Sequence, residues 1–223
     1  MPGKLQGIFI SLATPFNHKG EIWETKVEHN VVKWNRTTVA GYVVCGAAGE
    51  TEQLSSEEKI RMWEWVAKFA APEKVLITGA GSPEEIARAK ELGYKDLGYK
   101  GAADDPKFVA IDAPGGLCGS DAGFAQALAA GATGAISTIA NAVPYAMISI
   151  WEAHRTRDTE AAADWQNRIA GAVELIGRQN GIAALKYAMD LNGYYGGPPR
   201  LPLKVLTPDQ KREVERAFEG IRG

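Results

Sequence analysis

The chain has 223 residues, of which 45% are apolar and 23% are charged, so it is long enough to bury one full core as an ordinary globular domain. Its formal net charge is -2 and it has no run of basic residues, so electrostatics give no reason to expect binding to nucleic acid or to an anionic membrane. The sequence has no run of about 18 apolar residues and no segment patterned like a signal peptide. We therefore expect a cytoplasmic protein that binds neither nucleic acid nor membrane.

Cysteine and histidine usage gives no support for a disulfide framework or a metal site. Cys45 and Cys118 each lie in an apolar run near glycine, which is typical of buried thiols in a reducing compartment. His18, His29 and His154 are scattered along the chain without metal-ligand spacing. We therefore predict no metal site.

Apolar runs and helical patterns alternate along the chain. The predicted strands cover residues 7–16, 41–46, 75–81, 96–101, 115–121 and 132–138. The predicted helices cover residues 24–36, 55–71, 83–92, 124–130, 145–156, 159–177, 181–192 and 208–220, and a short helix is expected to open at Asp104-Asp105-Pro106. Because the strands are too apolar to have a face exposed to solvent, this alternation predicts a parallel sheet covered by helices, followed by a helical tail.

The run from Asp96 to Gly101 predicts a short strand with a lysine at its carboxyl end. Alternation places Leu97 and Tyr99 on one face, which suits packing under helices, and Gly98 and Lys100 on the other face. An ammonium group in a poorly solvated space has a lowered pKa, so a neutral amine becomes available to attack carbonyl groups. The alternative is a solvated lysine in a loop, which is the common state of lysine.

Eight motifs follow one another in the order seen in a known enzyme family. They are Thr14-Pro15-Phe16, Gly46-x-x-Gly49-Glu50, Leu54-Ser55-x-Glu57-Glu58, Gly79-x-Gly81, Gly98-Tyr99-Lys100, Gly119-Ser120-Asp121, Gly134-x-Ile136-Ser137 and the tail Gly193-Tyr194-Tyr195-Gly196-Gly197-Pro198-Pro199-Arg200-x-Pro202-Leu203. In these motifs the chain resembles the dihydrodipicolinate synthase and N-acetylneuraminate lyase group of class I aldolases. Its tail is most similar to the branch that includes 4-hydroxy-2-oxoglutarate aldolase.

This resemblance implies a (β/α) barrel with its active site at the carboxyl ends of the strands, and a C-terminal helical extension. It also implies that Lys100 forms a Schiff base with a small 2-oxo acid such as pyruvate, in a homo-oligomer without a cofactor. The implied substrate-binding residues are Gly46, Ala47 and Ala48, whose backbone N–H groups would hold the carboxylate, together with Ile136. Without the family, simple chain reversal at the glycines explains that turn equally well.

Two departures from the family pattern shape the expected fold and activity. Ala47 and Ala48 stand where the family has hydroxyl residues, and loss of a hydroxyl donor to a charged ligand costs about 1.5–3 kcal/mol. After Tyr94-Lys95 the chain enters the motif of the family's sixth strand directly, as if two strand–helix units had been deleted. The family's catalytic tyrosine on strand five therefore has no matching position. We expect a shortened TIM-type barrel of about six parallel strands over residues 1–157, with a helical extension packed on it over residues 158–223.

Two functions stay open from the sequence. The first is a class I aldolase-type lyase or synthase that acts through Lys100 with reduced activity, since proton transfer typically contributes about 10²–10⁴-fold. The second is a catalytically inactive shortened barrel that folds and oligomerises, for instance by pairing its exposed strand edges. A phosphate-binding turn at Gly79-Ala80-Gly81 is a weaker third hypothesis. We interpret Asp121 as a helix cap and Arg200 as a contact that holds the tail to the barrel.

Overall fold

The computed structural model describes residues 5–79, 81–97, 108–109, 115–178 and 181–221. The strands of this part of the chain are β1 (Gly7–Ser11), β2 (Gly41–Val44), β3 (Val75–Thr78), β4 (Lys95–Leu97), β5 (Phe108–Val109), β6 (Leu117–Cys118) and β7 (Gly134–Ser137). Its α-helices are α1 (Glu24–Asn35), α2 (Ser56–Phe69), α3 (Pro83–Glu91), α4 (Phe124–Ala129), α5 (Pro144–Arg155), α6 (Thr159–Ile176), α7 (Gly181–Leu191) and α8 (Pro208–Ala217).

Capping chemistry explains where two of these helices begin. The Ser55 hydroxyl accepts the backbone N–H of Glu58 at 3.3 Å, and the Glu58 carboxylate accepts the Ser55 N–H at 3.0 Å. Ser82 and Glu85 form the same reciprocal pair at the start of α3, where Pro83 occupies the first turn. The predicted starts of both helices are confirmed.

All strand pairs in the sheet are parallel, and their order is β5-β4-β3-β2-β1-β7-β6. The strands form a curled half-barrel with helices around it, so the predicted shortened TIM-barrel-like fold is confirmed. β5 and β6 are the terminal strands of the sheet, and within the described residues no pairing joins one to the other.

Alternation along the strands divides the core into two clusters. The smaller cluster fills the hollow of the half-barrel and consists of Phe9, Val43, Ile77 and Leu117, each at most 1% exposed. The larger cluster lies between the sheet and the helices. Ile8, Ile10, Tyr42 and Val44 contribute to it from β1 and β2. We call the side of the sheet that carries the smaller cluster the inner face.

All six predicted strands correspond to observed strands. Each is shorter than its apolar run except β4, whose predicted run continues outside the described residues. β1 ends at Ser11, and the chain then turns so that Phe16 forms an antiparallel bridge with Ile22. β5 was not predicted. The short helix expected to open at Asp104-Asp105-Pro106 begins outside the described residues, and the described residues closest after it form a strand.

The faces of β4 differ from the predicted alternation. Parallel pairing places Lys95 beside Ile77 of β3, and Asp96 beside Thr78. Ile77 belongs to the inner cluster, whereas the Asp96 carboxylate pairs with Lys90 of α3 at 3.0 Å. Lys95 therefore lies on the inner face and Asp96 on the helix-covered face. The predicted alternation assigned Leu97 and Tyr99 to one face and Gly98 and Lys100 to the other. Extended back to Asp96 it would place this residue inward, whereas the register with β3 places it on the helix-covered face.

The helical tail packs against itself and against α5. α6 contacts α5, α7 and α8, and α7 also contacts α8. The predicted boundary between residues 157 and 158 falls in the turn that joins α5 to α6, and the division into two parts stays a prediction. No helix in the described ranges is long and apolar enough to span a bilayer.

Candidate functional site

The turn after β2 lies at the carboxyl ends of the parallel strands, where barrel enzymes place their chemistry. Cys45 ends the strand with φ of 58°, and Ala47–Gly49 form a short 3-10 helix in which the Gly49 N–H donates to the Gly46 carbonyl at 3.0 Å. Glu50 follows with φ of 52° and ψ of 40°, in the left-handed region. The turn is therefore a tight reversal between two residues with positive φ.

Close packing explains why this turn needs glycine. A Cβ atom on Gly46 would lie 2.9 Å from Ser11 Oγ and 3.1 Å from Val43 Cγ1. A Cβ atom on Gly79, at the end of β3, would lie 2.1 Å from the Cys45 carbonyl oxygen. Both glycines are thus required by the approach of neighbouring strand ends, which also explains Gly79 without a phosphate.

The predicted substrate-binding residues on this turn contribute backbone groups only. Ala47 is exposed and Ala48 is fully buried, and neither methyl group donates a hydrogen bond. The Ala48 N–H points at Ser11 Oγ at 3.4 Å, which is a long and weak hydrogen bond. In the described parts of the chain the Ala47 N–H has no acceptor. At this turn the Ala47 N–H is therefore available to an anion, and the Ala48 N–H is held only by its long hydrogen bond to Ser11.

Ile136 is not level with the turn, because its partner Phe9 also pairs with Gly41, the first residue of β2. Ile136 pairs with Phe9 of β1 and packs against the inner cluster. Because β1 lies between β2 and β7, Ile136 and the turn lie on the two strands that flank β1. Lys100, the predicted nucleophile, lies outside the described residues. β4, the described strand nearest to it in sequence, ends at Leu97.

Asp121 follows β6 and caps the turn after β7. Its Oδ2 accepts the backbone N–H groups of Thr138 and Ile139, both at 3.0 Å. Burial raises the pKa of this carboxyl group, and these hydrogen bonds oppose the rise. The interpretation of Asp121 as a cap of the helix that follows it is wrong, because α4 begins after Gly123 without a side-chain cap and Asp121 instead binds the turn after β7.

A buried ion pair that the sequence did not predict joins the turn to the tail. Lys186 Nζ lies 2.5 Å from Glu50 Oε1, and the two side chains are 1% and 0% exposed. Lys186 also donates to the Pro198 carbonyl at 3.1 Å and lies 4.5 Å from the centre of the Phe16 ring. Burial lowers the pKa of Lys186, and the Glu50 carboxylate opposes that effect. One feature of the sequence could have indicated this pair. Lys186 lies in an apolar helical run, and a lysine in such a run indicates a buried charge that needs a partner.

Arg200 completes this charged cluster from the proline-rich loop. Its backbone N–H donates to Glu50 Oε2 at 2.7 Å. Its guanidinium group forms two hydrogen bonds with the Glu58 carboxylate, at 2.6 and 2.7 Å, and also binds the carbonyl groups of Gly20 and Gln53. The hydrogen bond from Arg200 lowers the pKa of Glu58. Arg200 therefore holds the tail to the barrel, as predicted.

The two cysteines have no ligand-like surroundings. Cys45 and Cys118 are buried and form no disulfide, and burial raises the pKa of the Cys45 thiol to about 12. In the described residues no three histidine, cysteine, aspartate or glutamate side chains converge as a metal site.

A model of the dihydrodipicolinate synthetase family matches residues 4–103 and 111–221. The chain belongs to the dihydrodipicolinate synthetase family. Both the turn after β2 and the charged cluster lie within the matched residues. Family membership supports a class I aldolase-type lyase or synthase.

Individual relatives agree with this assignment. A 4-hydroxy-tetrahydrodipicolinate synthase from Exiguobacterium sp. is 22% identical, over 96% of this chain and 97% of that protein. The structure of dihydrodipicolinate synthase from Bacillus clausii matches with a TM-score of 0.86 and 18% identity, over 96% of this chain and 97% of that one. Proteus mirabilis N-acetylneuraminate lyase matches with a TM-score of 0.79 and 22% identity, over 98% and 99%. At these identities the solved structures support the fold alone.

The family alignments also show that this chain is short. The alignment with the Exiguobacterium protein runs over 287 positions, whereas 96% of this 223-residue chain is about 214 residues. About 70 aligned positions, the difference between 287 and 214, therefore have no residue in this chain. The family match is continuous through Lys100 and is interrupted between residues 103 and 111.

Proposed function

We propose that this protein is a class I aldolase-type lyase or synthase that acts on pyruvate or another small 2-oxo acid through a Schiff base on Lys100. The observation that carries the proposal is the turn after β2, which lies at the carboxyl end of a parallel sheet. There the Ala47 N–H has no acceptor among the described residues, and the Ala48 N–H makes only a long hydrogen bond to Ser11 Oγ. Membership of the dihydrodipicolinate synthetase family supports this class of reaction.

The proposed chemistry assigns a separate task to each group. The neutral amine of Lys100 adds to the keto carbon, and uptake of one proton from solvent with loss of water leaves a protonated carbon–nitrogen double bond. This bond accepts the electron pair that is released when a neighbouring carbon–carbon bond breaks or a proton is removed. The Gly46–Gly49 turn holds the carboxylate, and Ile136 gives the substrate an apolar wall.

The faces of β4 place one requirement on this proposal. Asp96 lies on the helix-covered face, so a strand that continued its alternation would place position 100 on the same face. The proposal requires that the Lys100 amine reach the inner face, and Lys100 lies outside the described residues.

We expect reduced activity relative to longer family members. The family's strand-five tyrosine has no matching position, and loss of a proton-transfer group typically costs about 10²–10⁴-fold in rate. The alanines at 47 and 48 also remove two hydroxyl donors from the carboxylate site. We propose that deletion of about two strand–helix units accounts for both the short length and the missing tyrosine.

A second candidate function is an inactive barrel that folds without turnover. Two observations favour it. β4 pairs with β3 directly after α3, which is the place of a fourth strand, and the family match runs without a break from residue 4 through residue 103. On this view Lys100 belongs to a fourth-strand unit, and the deleted segment contained the catalytic lysine. The terminal strands β5 and β6 then offer edges through which copies of the chain would associate as a homo-oligomer.

Borohydride trapping with pyruvate separates the two candidates. Borohydride reduces the carbon–nitrogen double bond of a Schiff base to a stable secondary amine. Mass spectrometry of the digested protein then locates the modified lysine. We expect modification of Lys100 that is lost in Lys100→Ala. The matched control is Lys95→Ala, which removes an exposed lysine on the inner face five positions earlier and should leave the modification intact. Absence of any pyruvate adduct supports the inactive barrel.

A further inference from the structure

Ser11 lies at the carboxyl end of β1, beside the turn after β2. It pairs with Val43, which belongs to the inner cluster, so the Ser11 side chain is on the inner face. The residue is 2% exposed. Its Oγ accepts the Ala48 N–H at 3.4 Å and would lie 2.9 Å from a Cβ atom on Gly46. Ser11 is therefore packed directly against the turn, at the Ala48 N–H and beside Gly46.

Three hydroxyl groups surround this turn, and two of them donate to its backbone. Thr14 Oγ1 donates to the Gly49 carbonyl at 2.6 Å, and Thr51 Oγ1 donates to the Gly46 carbonyl at 3.0 Å. The Ser11 hydroxyl accepts a hydrogen bond, but its proton has no acceptor within the described residues. A buried donor without an acceptor is unfavourable, so this group calls for an oxygen atom from a ligand or a water molecule.

We infer that Ser11 is a substrate-binding residue that donates its hydroxyl proton to the substrate carboxylate, in place of the hydroxyl groups missing at Ala47 and Ala48. A carboxylate in front of the turn would then accept the Ser11 hydroxyl together with the Ala47 N–H. The hydroxyl donor would come from Ser11 on β1 instead of from the turn itself. It would replace one of the two hydroxyl donors that the family has at positions 47 and 48. The inference rests on the proposed function only in that the ligand is a small carboxylate.

Equilibrium binding of pyruvate and of L-lactate tests this inference separately from catalysis. L-lactate has a carboxylate but no keto group, so it cannot form a Schiff base. Calorimetric titration of Ser11→Ala should give a dissociation constant about 10-fold or more above wild type for both compounds, because the lost hydrogen bond is to a charged group. If the wild type binds L-lactate but gives no borohydride adduct with pyruvate, the Schiff-base proposal fails and the Ser11 comparison still stands.

Two further variants distinguish binding from packing. Ala47→Ser in the Ser11→Ala background places a hydroxyl on the exposed alanine of the turn and should restore binding to within a few-fold of wild type. Ser137→Ala removes another buried serine at the end of a neighbouring strand, whose side chain instead accepts the Ala140 N–H at 3.1 Å, and should leave binding unchanged. If Ser11→Ala does not fold, Ser11→Cys keeps the shape with a weaker donor and should show the same loss.

Three outcomes would overturn the inference. One is a Ser11 variant that binds both carboxylates as tightly as wild type, since the hydroxyl then serves only water or packing. The second is equal weakening by Ser137→Ala, which indicates a general effect on the fold. The third is a wild-type protein that binds neither compound, because the turn then holds no carboxylate.

Discussion

Replacing Lys186 with methionine tests whether the buried ion pair holds the barrel and the tail together. Methionine keeps an unbranched chain of similar length, so the change removes the charge while largely preserving volume. In Lys186→Met the Glu50 carboxylate, which is 0% exposed, keeps the Arg200 N–H as a hydrogen-bond donor but loses its charged partner. Glu50 would then be a buried charge without compensation.

The size of the effect follows from this burial. Removing one partner of a buried pair typically costs about 3–5 kcal/mol, because the remaining charge stays desolvated. For a domain of this length each kcal/mol lowers the melting temperature by about 2–4 °C, so we expect a decrease of about 6–20 °C. In Glu50→Gln/Lys186→Met the uncompensated charge is absent, so the double variant should be more stable than the sum of the single changes predicts, by about 2 kcal/mol.

Urea unfolding followed by circular dichroism measures these free energies. Arg178→Met is a matched control, because it breaks exposed pairs with Glu174 and Glu213, in which the three side chains are 57%, 72% and 47% exposed. The control should change the free energy of unfolding very little. A cost below about 1 kcal/mol for Lys186→Met, or strictly additive effects in the double variant, would refute the role assigned to the pair.

Two other predictions follow from the charged cluster and from the buried thiol. The hydrogen bond from Arg200 lowers the pKa of Glu58 from its ordinary value of 4.5, so its contribution to stability is present above that value and is lost as the pH falls through the lowered pKa. The stability difference between wild type and Glu58→Gln, measured by urea unfolding from pH 7 to pH 3, should therefore shrink in acid, and a constant difference would contradict this. Burial raises the pKa of Cys45 from 9.0 to about 12, so alkylation by iodoacetamide at about pH 8 should be roughly 10³-fold slower in the native protein than in urea, and equal rates would show that the thiol is accessible.

Local patterns in the sequence predicted most of the secondary structure. The starts of α2 and α3 were predictable because Ser55 and Ser82 are each followed by glutamate three positions later. This pair of residues satisfies the first N–H groups of a helix. The parallel sheet followed from strands with no polar face, and the glycine-rich turn after β2 lies where that pattern placed it. These features depend on residues that are close together in the sequence, so they can be predicted from one sequence alone.

Features that depend on pairing between distant segments were not predictable in the same way. The faces of β4 are set by its register with β3, so the predicted alternation, extended back to Asp96, would give the wrong face for this residue. The Lys186–Glu50 pair joins residues that are distant in sequence, and the sequence shows only an isolated lysine in an apolar helix. Ser11 gave no signal at all, since one serine in a buried strand predicts nothing without the turn that packs against it.

The most direct test of the account is the identity of the lysine that borohydride fixes to pyruvate. The account predicts one modified residue, Lys100, with no modification in Lys100→Ala and normal modification in Lys95→Ala. A protein that binds pyruvate without any adduct, or an adduct that persists in Lys100→Ala, would contradict the Schiff-base proposal.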